Sequence, residues 1–268
     1  MNQQRRLDYI VRYLRADSDQ YNDIEISNNN KEKRKLIRSF MNIRIPRMIS
    51  QEFIEVQDEF LLEETKNKGI ITLEEIPTIK EQFGSNVPFA EKISIWQGDI
   101  TRLKVDAIVN AANSQMLGCF IPCHKCIDNA IHSSAGIQLR EECNELMEKQ
   151  EHEEQTGSAK ITKGYNLPCK YVIHTVGPIV NCKLNDEIKK DLENCYNSCL
   201  ELAALNGIRS IAFCCISTGE FHFPSGEAAK IAVRTVQTFM GKNCEKLDRV
   251  IFNVFKDIDL EIYCSLLK

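Results

Sequence analysis

From residue 93 onward, short apolar runs alternate with longer stretches whose apolar residues repeat at helical spacing. The short runs cover residues 93–97, 107–109, 159–161, 171–175, 210–216 and 249–254, and the helical stretches cover 127–149, 186–205 and 225–239. Strands that alternate with helices are typical of a sheet covered on both faces. The pattern predicts an α/β fold whose ligands bind in loops at the strand ends.

The first 90 residues follow a different pattern, since they contain only two glycines, Gly69 and Gly84. Helical spacing of apolar residues predicts three helices, around residues 7–14, 33–42 and 51–67. The sequence FGSNVP at residues 83–88 is typical of a loop. We therefore expect a helical N-terminal extension over residues 1–90 and a second domain over residues 91–268.

Charge and hydropathy exclude several classes of protein. The chain has 34 Lys and Arg against 38 Asp and Glu, a formal net charge of −4, so nucleic acid is disfavoured as a partner. The longest uncharged stretch, residues 107–123, contains Asn, Ser and Gln and does not suit a bilayer. The N-terminus lacks the apolar run of a secretory signal. A cytoplasmic protein without a membrane partner is expected, and its oligomeric state is not predicted.

All 12 cysteines and all five histidines lie after residue 118. Without an export signal, free thiols or metal ligands are expected rather than disulfides. The sequence CFIPCHKC at residues 119–126 concentrates three Cys and one His directly before a predicted helix, and these donors suit Zn²⁺. Because Cys123 and His124 are adjacent and tend to point apart, the predicted ligands of one Zn²⁺ per chain are Cys119, His124 and Cys126.

Three ligands leave an open position for water or substrate, whereas structural zinc sites are usually closed by four. His132 or a distant Cys could supply a fourth. Two other interpretations stay open at this stage: buried reduced cysteines beside a chance histidine, and a thioredoxin-like pair formed by Cys123 and Cys126.

Two further loops have a composition suited to a phosphate or a ribose. The sequence STGEFHFP at residues 217–224 offers hydroxyls, a Gly and backbone amides to an anion, and Phe221 could stack on a flat ring. The same residues are also typical of a helix cap. Asn113 ends the run DAIVNAAN at residues 106–113, where it either caps the next element or contacts a ligand hydroxyl. No dinucleotide fingerprint and no Walker loop occurs.

Five motifs in a fixed order resemble the macrodomain family, whose members bind ADP-ribose. They are GDIT at 98–101, the run at 106–113, IDNAIH at 127–132 with Ala135 and Gly136, YVIHTVGP at 171–178, and ISTG at 216–219 with Phe221 and Pro224. The Cys/His loop and the helical extension, which contains RLDYIVRYL at residues 6–14, resemble the zinc-dependent class. The resemblance implies a three-layer α/β/α fold with a mixed central sheet behind a helical N-terminal extension.

The resemblance also implies a zinc-dependent hydrolase that removes a single ADP-ribose from a modified protein side chain, with Asp or Glu as the expected linkage. The residues implied to bind ADP-ribose are Asp99, Ile100, Asn113, Ser217, Thr218, Gly219, Glu220 and Phe221. Asp99 would bind the adenine amino group beside the Ile100 backbone, and Asn113 would contact the distal ribose. Residues 217–221 would cradle the diphosphate.

Asp128 and Asn113 are the expected catalytic residues, because they would orient the reacting groups near the anomeric carbon. Asn129 stands where zinc-free hydrolytic relatives usually have Gly. Two non-enzymatic functions remain open: an ADP-ribose reader whose zinc only orders the loop, and a zinc-stabilised scaffold. Cleavage of poly(ADP-ribose) chains is disfavoured, since no Gly-Gly-Gly-x-x-x-Glu-Glu pattern occurs.

Overall fold

The structure, a computed structural model, describes residues 1–21 and 23–268. The strands are β1 (Ile71–Thr72), β2 (Ile93–Gln97), β3 (Leu103–Lys104), β4 (Ala107–Ala112), β5 (Ala159–Lys163), β6 (Tyr171–Val176), β7 (Ser210–Phe213) and β8 (Arg249–Val254). The helices are α1 (Gln3–Ala16), α2 (Asn30–Ile43), α3 (Gln51–Lys68), α4 (Ile79–Phe83), α5 (Ile127–Ala135), α6 (Ile137–Gln150), α7 (Asp186–Leu205), α8 (Ser225–Asn243) and α9 (Asp257–Leu267).

The central sheet has six strands in the order β2-β8-β7-β4-β6-β5, and β1 pairs with β3 in a separate small sheet. Neighbouring strands of the central sheet run parallel, except that β5 is antiparallel to β6. The carboxyl ends of the five parallel strands therefore meet at one edge, which is where ligands of such sheets bind. The expected α/β/α fold with a mixed sheet is confirmed.

Helices cover the sheet and complete a large hydrophobic core. Helix α5 packs against β4 and α6 against β5, while α7, α8 and α9 pack side by side, with α7 against β5 and β6 and α9 against β2 and β8. The main strands are buried along most of their length, as expected for parallel strands between two helical layers.

Helices α1, α2 and α3 form a second, smaller core. Each begins at a side-chain cap, because Asn2, Asn29 and Ser50 accept hydrogen bonds from backbone amides of the first turn. The apolar residues predicted to face inward are buried: Leu7, Ile10, Val11 and Leu14. The helical N-terminal region is thereby confirmed. Ile76 and Ile79, by contrast, belong to the larger core, and the domain border near residue 90 stays a prediction.

Several predicted bounds are wrong. The single helix expected over residues 127–149 is broken at Gly136, whose φ of 100° lies outside the helical region and whose Cβ, if present, would lie 2.8 Å from Gln57 Nε2. Strand β7 ends at Phe213 rather than at residue 216, and β4 continues to Ala112. Helix α9 was not predicted. Among the described residues, no helix is both long and apolar enough to span a membrane.

Candidate active site

The cysteine loop, residues 119–126, connects β4 to α5 at the ligand-binding edge of the sheet. Cys119 Sγ lies 3.6 Å from His124 Nδ1, and the ligand atoms of Cys119, His124 and Cys126 all lie within 4.8 Å of one another. All three residues are half-buried. The structure thus brings the three predicted ligands together, and their binding of Zn²⁺ stays a prediction.

This donor set fits zinc. With Zn–S of about 2.3 Å and Zn–N of about 2.05 Å in a tetrahedral site, a sulfur and a nitrogen ligand lie about 3.6 Å apart. The Cys119–His124 distance of 3.6 Å has that value. Burial raises the pKa of the Cys126 thiol to about 12, with the charge of Cys119 adding to the effect, so this thiol carries a proton until a cation replaces it.

Other candidate ligands point elsewhere. Cys123 has a left-handed backbone, with φ of 54°, and its thiol donates to Lys35 O of α2 at 3.3 Å. His132 lies inside the core, where its ligand atom is within 4.8 Å of those of Cys143 and His174 rather than beside the trio. Within the part of the chain that the structure describes, no fourth Cys, His, Asp or Glu joins the trio at that spacing.

Beneath the cysteine loop lies a buried polar cluster. Asp128 is 5% exposed and accepts a hydrogen bond from Asn110 Nδ2 at 2.8 Å, and the same amide lies 3.1 Å from His174 Nδ1. Burial raises the pKa of Asp128 to about 6, lowers the pKa of His174 to about 3 and lowers the pKa of His132 well below its usual value. The Asp128 carboxylate therefore faces the core, and its expected role in orienting water stays a prediction.

Asn113 follows β4 and shapes the start of the connection to the cysteine loop. Its Oδ1 accepts from the Gln115 amide at 3.1 Å, and its Nδ2 donates to Gly118 O at 3.3 Å. Both ends of the side-chain amide thus hold the local turn. The second hydrogen of Nδ2 is the group left to meet a ligand hydroxyl.

The serine loop, residues 217–224, follows β7 and precedes α8 at the same edge. Ser217 has a left-handed φ of 63°, and the amides of His222 and Phe223 are used within the loop. The amides of Gly219, Glu220 and Phe221 donate to no protein acceptor among residues 1–21 and 23–268. Backbone amides without a protein acceptor are the groups that bind anions in such turns, which is the role expected for this loop.

The third part of the edge follows β2 and β8. Asp99 Oδ1 accepts from the Thr101 amide and hydroxyl at 3.0 and 2.6 Å, which fixes its carboxylate at the start of a short 3₁₀ turn that begins at the buried Ile100. Phe255 directly follows β8 and is 75% exposed. Sequence reasoning missed Phe255, because only the strand order places it beside the end of β2.

Strand order sets the order of these groups along the edge. Asp99 follows β2, Phe255 follows β8, the serine loop follows β7 and the cysteine loop follows β4. Three strand spacings of about 4.8 Å separate the two ends, roughly 14 Å. The two loops meet where His124 Nε2 lies 3.6 Å from Glu220 Oε1. The edge can thus hold an elongated ligand with a ring at one end and an anionic middle.

Known proteins are similar to this chain in sequence and fold. The sequence pattern of the Macro domain family matches residues 109–232. A protein-ADP-ribose hydrolase of Treponema medium is 47% identical over 267 residues, covering 100% of both chains, and one of Staphylococcus aureus strain MRSA252 is 43% identical over 262 residues, covering 96% of this chain and 93% of that one. A crystal structure of a Trypanosoma brucei macrodomain in complex with ADP-ribose has a TM-score of 0.66 and 31% identity, covering 85% of this chain and 94% of that one. This chain therefore belongs to the Macro domain family.

Proposed function

We propose that this protein is a zinc-dependent hydrolase that removes a single ADP-ribose from modified protein side chains, with Asp or Glu as the linked residue. Its full-length similarity to a protein named protein-ADP-ribose hydrolase supports the activity. The observation that carries the proposal is the position of the Cys119, His124 and Cys126 trio, which lies beside the serine loop at the same edge of the sheet.

The parts of ADP-ribose match the order of groups along this edge of the sheet. Asp99 binds the adenine amino group, and the exposed ring of Phe255 stacks on the adenine face. The unpaired amides of the serine loop cradle the diphosphate. Asn113 offers its remaining Nδ2 hydrogen to the distal ribose. The nucleotide sugar is then held at several points along its length, which fixes its anomeric carbon beside the cysteine loop.

Cys119, His124 and Cys126 would hold one Zn²⁺ per chain, and three protein ligands leave a coordination position open. Bound there, the ion would polarise a substrate oxygen or lower the pKa of a water molecule. Glu220 Oε1 lies 3.6 Å from His124 Nε2, and a carboxylate on this side of the ring favours Nδ1 as the ligand atom. Asp128 fixes Asn110 from below and, with Asn113, orients the reacting groups.

The test uses a protein that carries mono-ADP-ribose on Asp or Glu, with release followed on a gel. Cys126→Ala should lower turnover at least about 100-fold and abolish stoichiometric Zn²⁺ uptake, because removing a ligand costs more than the 10- to 100-fold typical of ligand-supporting residues. Cys123→Ala is the matched control from the same loop and should keep both properties. Chelation should stop the wild-type enzyme, and added Zn²⁺ should restore it.

Full turnover of Cys126→Ala in the presence of chelator would exclude the zinc-dependent reaction. A wild-type chain that binds free ADP-ribose but leaves the modified protein unchanged after long incubation would instead be a reader. The expected cytoplasmic location is a separate prediction, which fractionation of cells checks directly.

A further inference from the structure

Helix α2 of the N-terminal region reaches the cysteine loop through Arg38. The Arg38 guanidinium donates from Nε and Nη2 to Asn129 Oδ1 at 3.0 and 2.7 Å, and from Nη2 to His124 O at 3.1 Å. His124 is one of the three converging donors, so Arg38 holds the backbone of a proposed ligand directly. Such a forked contact fixes direction as well as distance, because the guanidinium is planar.

Asn129, which accepts from Arg38, is itself hydrogen-bonded to two residues of the loop. Its side chain is fully buried, its Nδ2 donates to Ile121 O at 3.0 Å, and its backbone amide donates to Cys126 Sγ at 3.4 Å. A glycine at this position would have no side chain to accept from Arg38 or to hold Ile121. Asn129 therefore joins Arg38 to Ile121 in the first half of the loop and to Cys126 at its end.

A second set of contacts fixes the middle of the loop. Asn42 Oδ1 accepts from the Cys123 amide at 2.9 Å, and Asn42 Nδ2 donates to Ser133 Oγ at 2.9 Å. The left-handed backbone of Cys123 is thus held by a side chain from the end of α2. Arg140 of α6 donates to three carbonyls at the carboxyl end of α2 while its guanidinium lies 4.4 Å from the Phe120 ring.

We infer that Arg38 is a positioning residue for the metal site, and that helix α2 sets the distances among Cys119, His124 and Cys126. The inference rests on the zinc site of the proposed function. A loop without regular secondary structure has many conformations, and each one that separates the donors weakens metal binding. The contacts from α2 remove these conformations before the ion arrives, which is the role that residues supporting metal ligands play in general.

The experiment measures metal retention rather than catalysis. Full-length protein loaded with one equivalent of Zn²⁺ is mixed with a chromophoric chelator, and the equilibrium transfer of the ion is recorded. Arg38→Gln should bind Zn²⁺ about 10- to 100-fold more weakly than wild type. Arg38→Lys should recover part of this loss, since one ammonium cannot reproduce the fork. In Co²⁺-loaded protein, the ligand-field absorption should shift in Arg38→Gln.

Arg34→Gln is the matched control. Arg34 lies one turn earlier on α2 and pairs with Glu64 of α3 through Nε at 2.6 Å and Nη2 at 2.8 Å, so its loss disturbs the N-terminal region without touching the cysteine loop. It should retain Zn²⁺ and the Co²⁺ spectrum of wild type. Circular dichroism confirms that each variant is folded, and Arg38→Lys carries the test should Arg38→Gln fail to fold.

The outcomes separate this inference from the proposal on which it rests. Wild-type uptake of one Zn²⁺ with unchanged retention and an unchanged Co²⁺ spectrum in both Arg38 variants overturns the positioning role alone. Equal weakening in Arg34→Gln and Arg38→Gln also overturns it, because the effect would then come from general loosening of the helices. If the wild-type chain takes up no Zn²⁺, the proposed metal site does not exist, and the inference about Arg38 fails together with the proposed function.

Discussion

The serine loop and the cysteine loop lie at the same edge of the sheet but are held in different ways. The serine loop is fixed by backbone hydrogen bonds: Phe223 N donates to Ser217 O and Val180 N donates to Phe221 O, both at 2.9 Å. The cysteine loop is fixed mainly by side chains from outside it, of which Arg38 and Asn42 come from the N-terminal helices. The serine loop therefore depends on the sheet, and the cysteine loop depends on the N-terminal helices.

Because of this difference, nucleotide binding and metal binding should depend on different parts of the fold. The serine loop, which would hold the diphosphate, is built from a strand end and its own turns, so it should persist whenever the sheet folds. The part that would hold the metal depends on contacts between segments 81 to 91 residues apart. Metal binding can therefore be lost while nucleotide binding remains, and the reverse should also hold.

The largest effect is expected from Gly177→Ala, which should distort the serine loop and leave metal binding unchanged. A Cβ at this position would lie 2.1 Å from Ser217 Oγ and 3.0 Å from Ile216 Cγ2, so the Ser217 side chain or the loop that carries it must shift. A displacement of about 1 Å typically costs about 100-fold in turnover. Turnover and ADP-ribose affinity should fall, while metal analysis still finds one Zn²⁺ per chain.

Gly241→Ala is the control for Gly177→Ala, because a Cβ at Gly241 meets no atom of the described residues within 4 Å. It should leave turnover unchanged. If Gly177→Ala lost Zn²⁺ together with turnover, the two loops would not be held independently, and the comparison would be wrong.

A smaller effect is expected from Phe255→Ala, which removes the exposed ring at the adenine end. Stacking of a base on an aromatic side chain contributes about 1–3 kcal/mol, so affinity for free ADP-ribose should fall about 10-fold by calorimetry. Affinity for ribose 5-phosphate, which has no base, should not change. Leu205→Ala removes an equally exposed apolar side chain at the end of α7 and should leave both affinities as they are. Unchanged ADP-ribose affinity in Phe255→Ala would show that Phe255 does not stack on the adenine.

The smallest effect concerns the buried cluster beneath the cysteine loop. Burial lowers the pKa of His174 to about 3, below its value of about 6.5 in an unfolded chain. Between these values the unfolded chain binds a proton that the folded chain does not, so His174 makes stability fall as pH falls, by at most about 1.4 kcal/mol per pH unit. Asp128, with its pKa raised to about 6, acts in the opposite direction.

His174→Gln should therefore flatten the pH dependence of unfolding relative to wild type, while His132, Cys143 and Asp128 remain in place in both proteins. Urea unfolding between pH 4.5 and 7 measures the difference. His152→Gln, which replaces an exposed histidine, should keep the wild-type slope. Parallel curves for wild type and His174→Gln would show that the buried imidazole does not titrate on unfolding.

Much of the fold could be predicted from local sequence, because strands and helices of this chain carry clear periodicity. Helix α7 and strand β8 have the predicted bounds. The break at Gly136 was missed because helical spacing continues through it, although the glycine itself was a signal. Tertiary contact decides that position, since neighbouring side chains leave no room for a Cβ.

The site was predictable only where its residues are close in sequence. Cys119, His124 and Cys126 lie within eight residues, so their convergence could be expected from spacing and chemistry. Arg38 could not be connected to them, because nothing in the local pattern of α2 distinguishes it from the other cations of that helix. The expected role of Asp128 in orienting the reacting groups stays a prediction, and the structure adds a partner that spacing could not reveal, since Asn110 Nδ2 donates to the buried carboxylate.

Ile137 is the first residue of α6, but its side chain lies in the hydrophobic cluster of α1, α2 and α3, and its amide donates to Gln57 Oε1 at 3.1 Å. A chain trimmed of its first three helices would expose this isoleucine to water and leave the amide without that acceptor. Ile137 thus joins the two cores in addition to the polar contacts of Arg38, Asn42 and Arg140, and a single heat-absorption peak should report their melting.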